Sequence, residues 1–72
     1  MQLYFKAIKK SKYYVNEHEK DIPWSEVVAV IFRSAKNMRK KGNKIEIENQ
    51  HYYLLCEIID KELYVINAKR KR

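Results

Sequence analysis

The stretch Lys44-Ile45-Glu46-Ile47-Glu48-Asn49-Gln50-His51-Tyr52-Tyr53-Leu54-Leu55-Cys56-Glu57-Ile58-Ile59-Asp60-Lys61-Glu62-Leu63-Tyr64-Val65 decides the fold. Two polar pairs, Asn49-Gln50 and Asp60-Lys61, fall where tight turns fit. Neither pair holds the glycine that such turns favour. With two-residue loops, Ile47 faces Tyr52 and Ile45 faces Leu54. Across the second turn, Ile58 faces Leu63 and Cys56 faces Val65. Alternation then puts all eight on one face of a three-stranded antiparallel meander. No charge falls among them. A one-residue slip would mix the faces, so the agreement of the two turns supports the pairing.

The opposite face collects Glu46, Glu48, His51, Tyr53, Leu55, Glu57, Tyr64, Ile66, Ala68 and Arg70. Its middle, Tyr53, Leu55, Tyr64 and Ile66, is apolar and aromatic. An exposed patch of this kind usually meets a partner.

Upstream, Gln2–Ile8 alternates loosely and reads as an edge strand, with Lys6 guarding it against unwanted pairing. One continuous helix from Gln2 to Lys20 competes. Ser11 favours a break, because it is a good N-cap for a short helix over Lys12–Lys20. Asp21-Ile22-Pro23 is a boundary, since proline suits a helix's first turn and restrains the residue before it. Trp24, Val27, Val28, Ile31 and Ala35 follow helical spacing. Glu26 in the first turn, and Arg33, Lys36 and Arg39 toward the far end, suit the helix dipole. Gly42 and Asn43 end that helix. The β-branched run from Val27 also suits a buried strand, but length and charge order favour helix. The expected fold is α+β in two layers: strand, helix, helix, then the three-stranded meander, with the helices on its apolar face.

Seventy-two residues make one domain, here with a short basic tail. Its core is thin, so a homo-oligomer or a partner is a plausible source of added stability. The lone Cys56 forms no internal disulfide and suits a reducing compartment. His18, His51 and Cys56 have no zinc-ligand spacing, and no cofactor motif occurs. The longest apolar run, Val27–Phe32, is far short of the ~20 residues of a membrane span. The N-terminus lacks the pattern of a signal peptide, so a cytoplasmic protein is expected.

Charge points to the partner. The chain carries a net charge of +7. All its Lys and Arg residues except Lys20 and Lys61 lie in three acid-free clusters: Lys6–Lys12, Arg33–Lys44 and Lys69–Arg72. The acids lie in Glu17–Glu26 and Glu46–Glu62. Segregated basic patches attract polyanions through phosphate contacts and counterion release. RNA or DNA is the expected partner. Arg33, Lys36, Arg39, Lys40, Lys41, Lys44 and Lys69 are the candidate phosphate contacts, with Tyr53 a stacking platform. Docking of the Arg33–Lys44 cluster to an acidic protein segment is a second use, and a merely solvated helix end is the plainer reading.

The element order resembles that of the RelE/ParE superfamily of small toxins. Asn16-Glu17-His18-Glu19-Lys20-Asp21-Ile22-Pro23-Trp24-Ser25-Glu26-Val27 looks like the BrnT-type pattern opening the second helix. Leu63-Tyr64-Val65-Ile66-Asn67-Ala68-Lys69-Arg70 is similar to that group's final strand. The chain departs from the pattern at Lys20, Asp21, Asn67 and Lys69, where the group usually has His, Gly, Ser and Arg. The resemblance implies a ribonuclease of a toxin–antitoxin pair, acting on messenger RNA, with a protein antitoxin as partner.

Metal-independent RNA cleavage needs a base for the 2′-hydroxyl, a cation for the phosphate and an acid for the leaving oxygen. The open sheet face offers His51, Glu57, Tyr64 and Arg70 as catalytic candidates. Each has a plainer reading. His51 lies across from Glu48 in this pairing, which suggests a cross-strand ion pair. Tyr53 and Tyr64 suit strand packing or a dimer contact. Trp24 reads as core, Cys56 as an inert buried thiol and His18 as a surface or partly packed residue. Two functions follow: a toxin-like ribonuclease, or a non-catalytic nucleic-acid-binding protein on the same fold, with a homodimer through the open face as one form.

Overall fold

A computed structural model describes residues 5–71. The expectation for Gln2–Tyr4 lies outside them. The elements are β1 (Ala7–Lys10), α1 (Lys12–Glu17), α2 (Trp24–Arg33), a 3-10 turn (Ala35–Asn37), β2 (Met38–Lys41), β3 (Lys44–Glu48), β4 (Tyr52–Ile59) and β5 (Glu62–Arg70). The five strands form one sheet in the order β1-β5-β4-β3-β2. β1 runs parallel to β5, and the other neighbours are antiparallel. The meander therefore has four strands rather than three.

Local chemistry explains the helices. Ser11 caps α1 by accepting a hydrogen bond from the Tyr14 amide at 3.1 Å. Tyr14 is fully buried, and its hydroxyl donates to the Ile22 carbonyl just before α2. Burial, with Glu19 and Glu26 nearby, raises the pKa of that hydroxyl. Pro23 lies just before α2 with extended backbone, its carbonyl accepting from the Glu26 and Val27 amides, and α2 carries Glu26 in its first turn and Arg33 in its last. Val27, Val30 and Ile31 face inward, whereas Phe32 is exposed.

The second helix is shorter than the sequence suggests. It ends at Arg33, and Met38–Lys41 is a strand. Gly42 and Asn43 form the two-residue hairpin turn between β2 and β3, not a helix stop. Gly42 takes φ +61 at the first turn position, as a type II′ turn requires.

The turn at Asp60-Lys61 pairs Ile58 with Leu63 and Cys56 with Val65, as expected. Asp60 and Lys61 both take positive φ, 52° and 64°. The first turn differs. Ile47 faces Leu54 and Ile45 faces Cys56. The Asn49 side-chain oxygen accepts from the His51 and Tyr52 amides, both at 2.8 Å, which closes a longer loop. The pairing moves by two residues, and an even shift keeps every side chain on its face. Ile45, Ile47, Leu54, Cys56, Leu63 and Val65 are all buried, and Tyr52 and Ile58 pack against them. Tyr14, Ile22, Val27, Val30 and Ile31 cover them. Burial pushes the Cys56 thiol up to about 12, so it is inert in the folded chain.

One irregularity bears on the site. Leu55 pairs with Asn67, but Cys56 pairs with Val65, so Ile66 is an extra residue in β5. A bulge of this kind reverses the alternation beyond it. Ala68 turns inward and is buried. Asn67 and Lys69 turn to the open face. Arg70, opposite Tyr52, turns to the helix side and bonds Glu26 of α2 at 2.8 Å.

Candidate nucleic-acid interface

The sheet face away from the helices can be followed as rows across the strands. One row runs Glu48, Tyr53, Lys69. The next runs Arg39, Glu46, Leu55, Asn67. The third runs Lys41, Lys44, Glu57, Tyr64, Lys9. Cations and carboxylates are interspersed across the rows, so the face is an ion-pair lattice rather than an apolar patch.

The distances define it. Arg39 and Lys71 hold the two oxygens of Glu48, at 3.1 and 2.9 Å. Lys41 lies 3.7 Å from Glu46, and Lys44 lies 3.3 Å from Glu57. Lys9 bonds Glu62 at 3.0 Å. The hydroxyl of Tyr53 donates to Glu46 at 2.7 Å, and that of Tyr64 donates to Glu62 at 3.0 Å. The Lys69 ammonium sits 5.5 Å from the Tyr53 ring centre. Beside it, Asn67 Oδ1 is buried with no hydrogen-bond partner among the described residues.

These contacts set the ionisation. The Lys71 hydrogen bond and charge, joined by Arg39, hold the Glu48 carboxyl below the usual range. Hydrogen bonds from Lys9 and Tyr64 do the same for Glu62. The same bond to Glu62 raises the Tyr64 hydroxyl, and the bond to Glu46 raises that of Tyr53. Both tyrosines are thus hydrogen-bond donors rather than bases.

The four catalytic candidates do not converge. Glu57 and Tyr64 are direct cross-strand neighbours on the open face. Glu57 accepts from Asn43 at 2.9 Å as well as meeting Lys44. His51 lies exposed in the β3–β4 loop, and the residue opposite Glu48 is Tyr53. Arg70 is on the other side of the sheet. The binding candidates divide as well. Arg39, Lys41, Lys44, Tyr53 and Lys69 share the open face. Lys40 pairs with the buried Ile45 and so belongs to the helix side. Arg33 ends α2, and Lys36 lies in the 3-10 turn beside Arg39.

Sequence reasoning missed Glu48, Asn67 and Lys71 as site residues. Only the bulge at Ile66 puts Asn67 on this face. Lys71 reads as tail until its amide is seen donating to the His51 carbonyl at 2.7 Å. Two shallow depressions meet at Glu48: one is lined by Lys36 and Arg39, the other by Tyr53, Leu55, Asn67, Lys69 and Lys71. Among the described residues no cluster of His, Cys, Asp and Glu is arranged to hold a metal. None of their helices is long and apolar enough to cross a membrane.

Comparison with solved structures gives a fold match. A chain of the toxin–antitoxin complex RelBE2 from Mycobacterium tuberculosis superposes with a TM-score of 0.60. The two chains share a fold. The match covers 99% of this chain and 95% of that one, at 11% sequence identity. No protein-family model matches the sequence, and comparison with curated proteins gives no match.

Proposed function

We propose that this chain is a toxin-like component of a toxin–antitoxin pair, and that single-stranded RNA lies across its open sheet face. The observation that carries the reading is the sharing of one sheet face by Lys9, Arg39, Lys41, Lys44, Lys69 and Lys71, with Lys69 and Lys71 beside Tyr53. The cations match a phosphate backbone, and an aromatic ring among them suits an unpaired base. The likeness to a chain of a toxin–antitoxin complex supports the toxin-like role and a protein antitoxin as partner. The BrnT-type motifs around Asn16–Val27 and Leu63–Arg70 support a place near that group.

A second reading, metal-independent ribonuclease, is favoured by the linked Tyr64, Glu62 and Lys9. In that reaction the Glu57 carboxylate, across from Tyr64, takes the 2′-hydroxyl proton, the 2′-oxygen bonds to phosphorus and the bond to the 5′-oxygen breaks. Tyr64, kept protonated by Glu62, gives a proton or a hydrogen bond to the leaving oxygen. Lys9 and Lys44 offset the phosphate charge. Loss of such a group costs about 10²–10³ in rate.

The test uses purified chain and a short single-stranded RNA, followed by anisotropy across a salt series. Binding that weakens steeply with salt supports the reading, and failure to bind at low salt overturns it. Cleavage is read on free RNA and on translating ribosomes, with Tyr64→Phe beside wild type. A cut that Tyr64→Phe slows about 10²-fold or more supports the nuclease reading. Binding without cleavage in either setting leaves the non-catalytic form.

A further inference from the structure

We propose that the Arg39 and Lys71 side chains form a seat for one RNA phosphate, and that the Glu48 carboxylate fills this seat while RNA is absent. The proposal rests on the RNA-binding reading of the open face.

Three observations carry it. First, Glu48 is shared: Arg39 Nη2 bonds one oxygen at 3.1 Å and Lys71 Nζ bonds the other at 2.9 Å. An oxyanion held between a guanidinium and an ammonium is the arrangement that a phosphodiester takes. Lys71 is steadied by the Asn49 carbonyl at 3.1 Å, so the seat is partly built by the chain itself. Secondly, the two cations come from distant parts of the sequence, one on β2 and one just past β5. They meet only because β3 and β4 bring Glu48 between them. Thirdly, Glu48 stands where the two depressions join. A strand running from Arg39 to the Tyr53 ring crosses Glu48. A phosphate placed at the seat leaves its base within reach of Tyr53 and Lys69.

The pair is exposed, and exposed ion pairs are weak. A polyanion that offers several phosphates at once can therefore displace one carboxylate. Glu48 then discriminates by valency: a single phosphate competes poorly, and a strand that also engages Lys69 competes well. It likewise disfavours non-specific anions when RNA is absent.

The test compares Glu48→Gln with Glu19→Gln. Both remove one negative charge, but Glu19 pairs with Lys10 on the helix side. Binding of a short oligouridylate is measured by anisotropy across a salt series, with thermal melts to show that each variant folds. The expected result is several-fold tighter binding by Glu48→Gln alone, because RNA no longer has to displace a carboxylate from the seat. Adding Arg39→Ala should remove the gain. Equal effects of Glu48→Gln and Glu19→Gln would overturn the seat while leaving RNA binding in place. Weaker binding by Glu48→Gln would also overturn it, because Glu48 would then be positioning the cations rather than blocking them. If no variant binds, the seat and the RNA reading fall together.

Discussion

The two faces of one sheet are built from the same strands by different physics. The helix face joins Ile45, Ile47, Leu54, Cys56, Leu63 and Val65 to two helices, and these side chains are removed from water. Its stabilisation scales with apolar area and is not subject to charge screening. The open face carries Arg39, Lys41, Lys44 and Lys69 among Glu46, Glu48 and Glu57, with distances of 2.9–3.7 Å in its central ion pairs. Exposed pairs of this kind contribute little to folding, about 0–1 kcal/mol each. Their charges remain able to exchange partners. The helix face therefore supplies stability, and the open face is free to bind.

The strongest way to break this comparison is to truncate one residue on each face. Leu54→Ala should cost about 2–5 kcal/mol, a large part of the stability of so small a domain. Glu46→Ala, on the adjacent strand but the opposite face, should cost less than about 1 kcal/mol. Urea unfolding reads both. Equal losses would show that the division of labour is wrong.

A smaller effect sharpens the boundary between the faces at the Asp60-Lys61 turn. Both residues hold positive φ without glycine, which strains an ordinary side chain by about 1 kcal/mol. Lys61→Gly should raise the unfolding free energy by about 1 kcal/mol in the same assay. No gain would mean that the turn is relaxed in another way.

The smallest effect is on pH. Glu48 and Glu62 have lowered carboxyl pKa values, owing chiefly to hydrogen bonds from Lys71 and Lys9. The unfolded state therefore takes up protons first as pH falls below the ordinary value of 4.5. The stability contributed by these pairs is present above that value and is lost as pH falls through the lowered native one. Chemical denaturation between neutral pH and pH 3 should show a slight decline, reduced in Glu48→Gln. An identical decline in that variant would show that the Glu48 pair contributes nothing.

Much of the helix face was legible in the sequence, because burial repeats every second residue along β3, β4 and the start of β5. The pairing across the first turn was off by two residues, yet the faces survived because two is the side-chain period. Three features escaped. The Met38–Lys41 strand carries a continuous charge run, which looks the same in a helix tail. Gly42-Asn43 was its one signal, since that dipeptide also marks a hairpin. The bulge at Ile66 leaves no trace in an apolar run, so Arg70 was assigned to the wrong face and Lys69 reached the right one only through its charge. The role of Asn49 in closing the loop also removed His51 from its expected place opposite Glu48. The site depends on these irregularities more than the core does, so less of it could be read from the sequence.

The most direct measurement sets two neighbouring residues of β2 against each other. Arg39 and Lys40 are both exposed and cationic, but Arg39 faces the ion-pair lattice and Lys40 is paired with the buried Ile45. The salt dependence of binding to a short single-stranded RNA should be measured for Arg39→Ala and Lys40→Ala. Arg39→Ala should flatten the slope of log affinity against log salt by about 0.7, the loss of one phosphate contact, while Lys40→Ala should leave it unchanged. Equal flattening by the two variants would contradict this division between the faces.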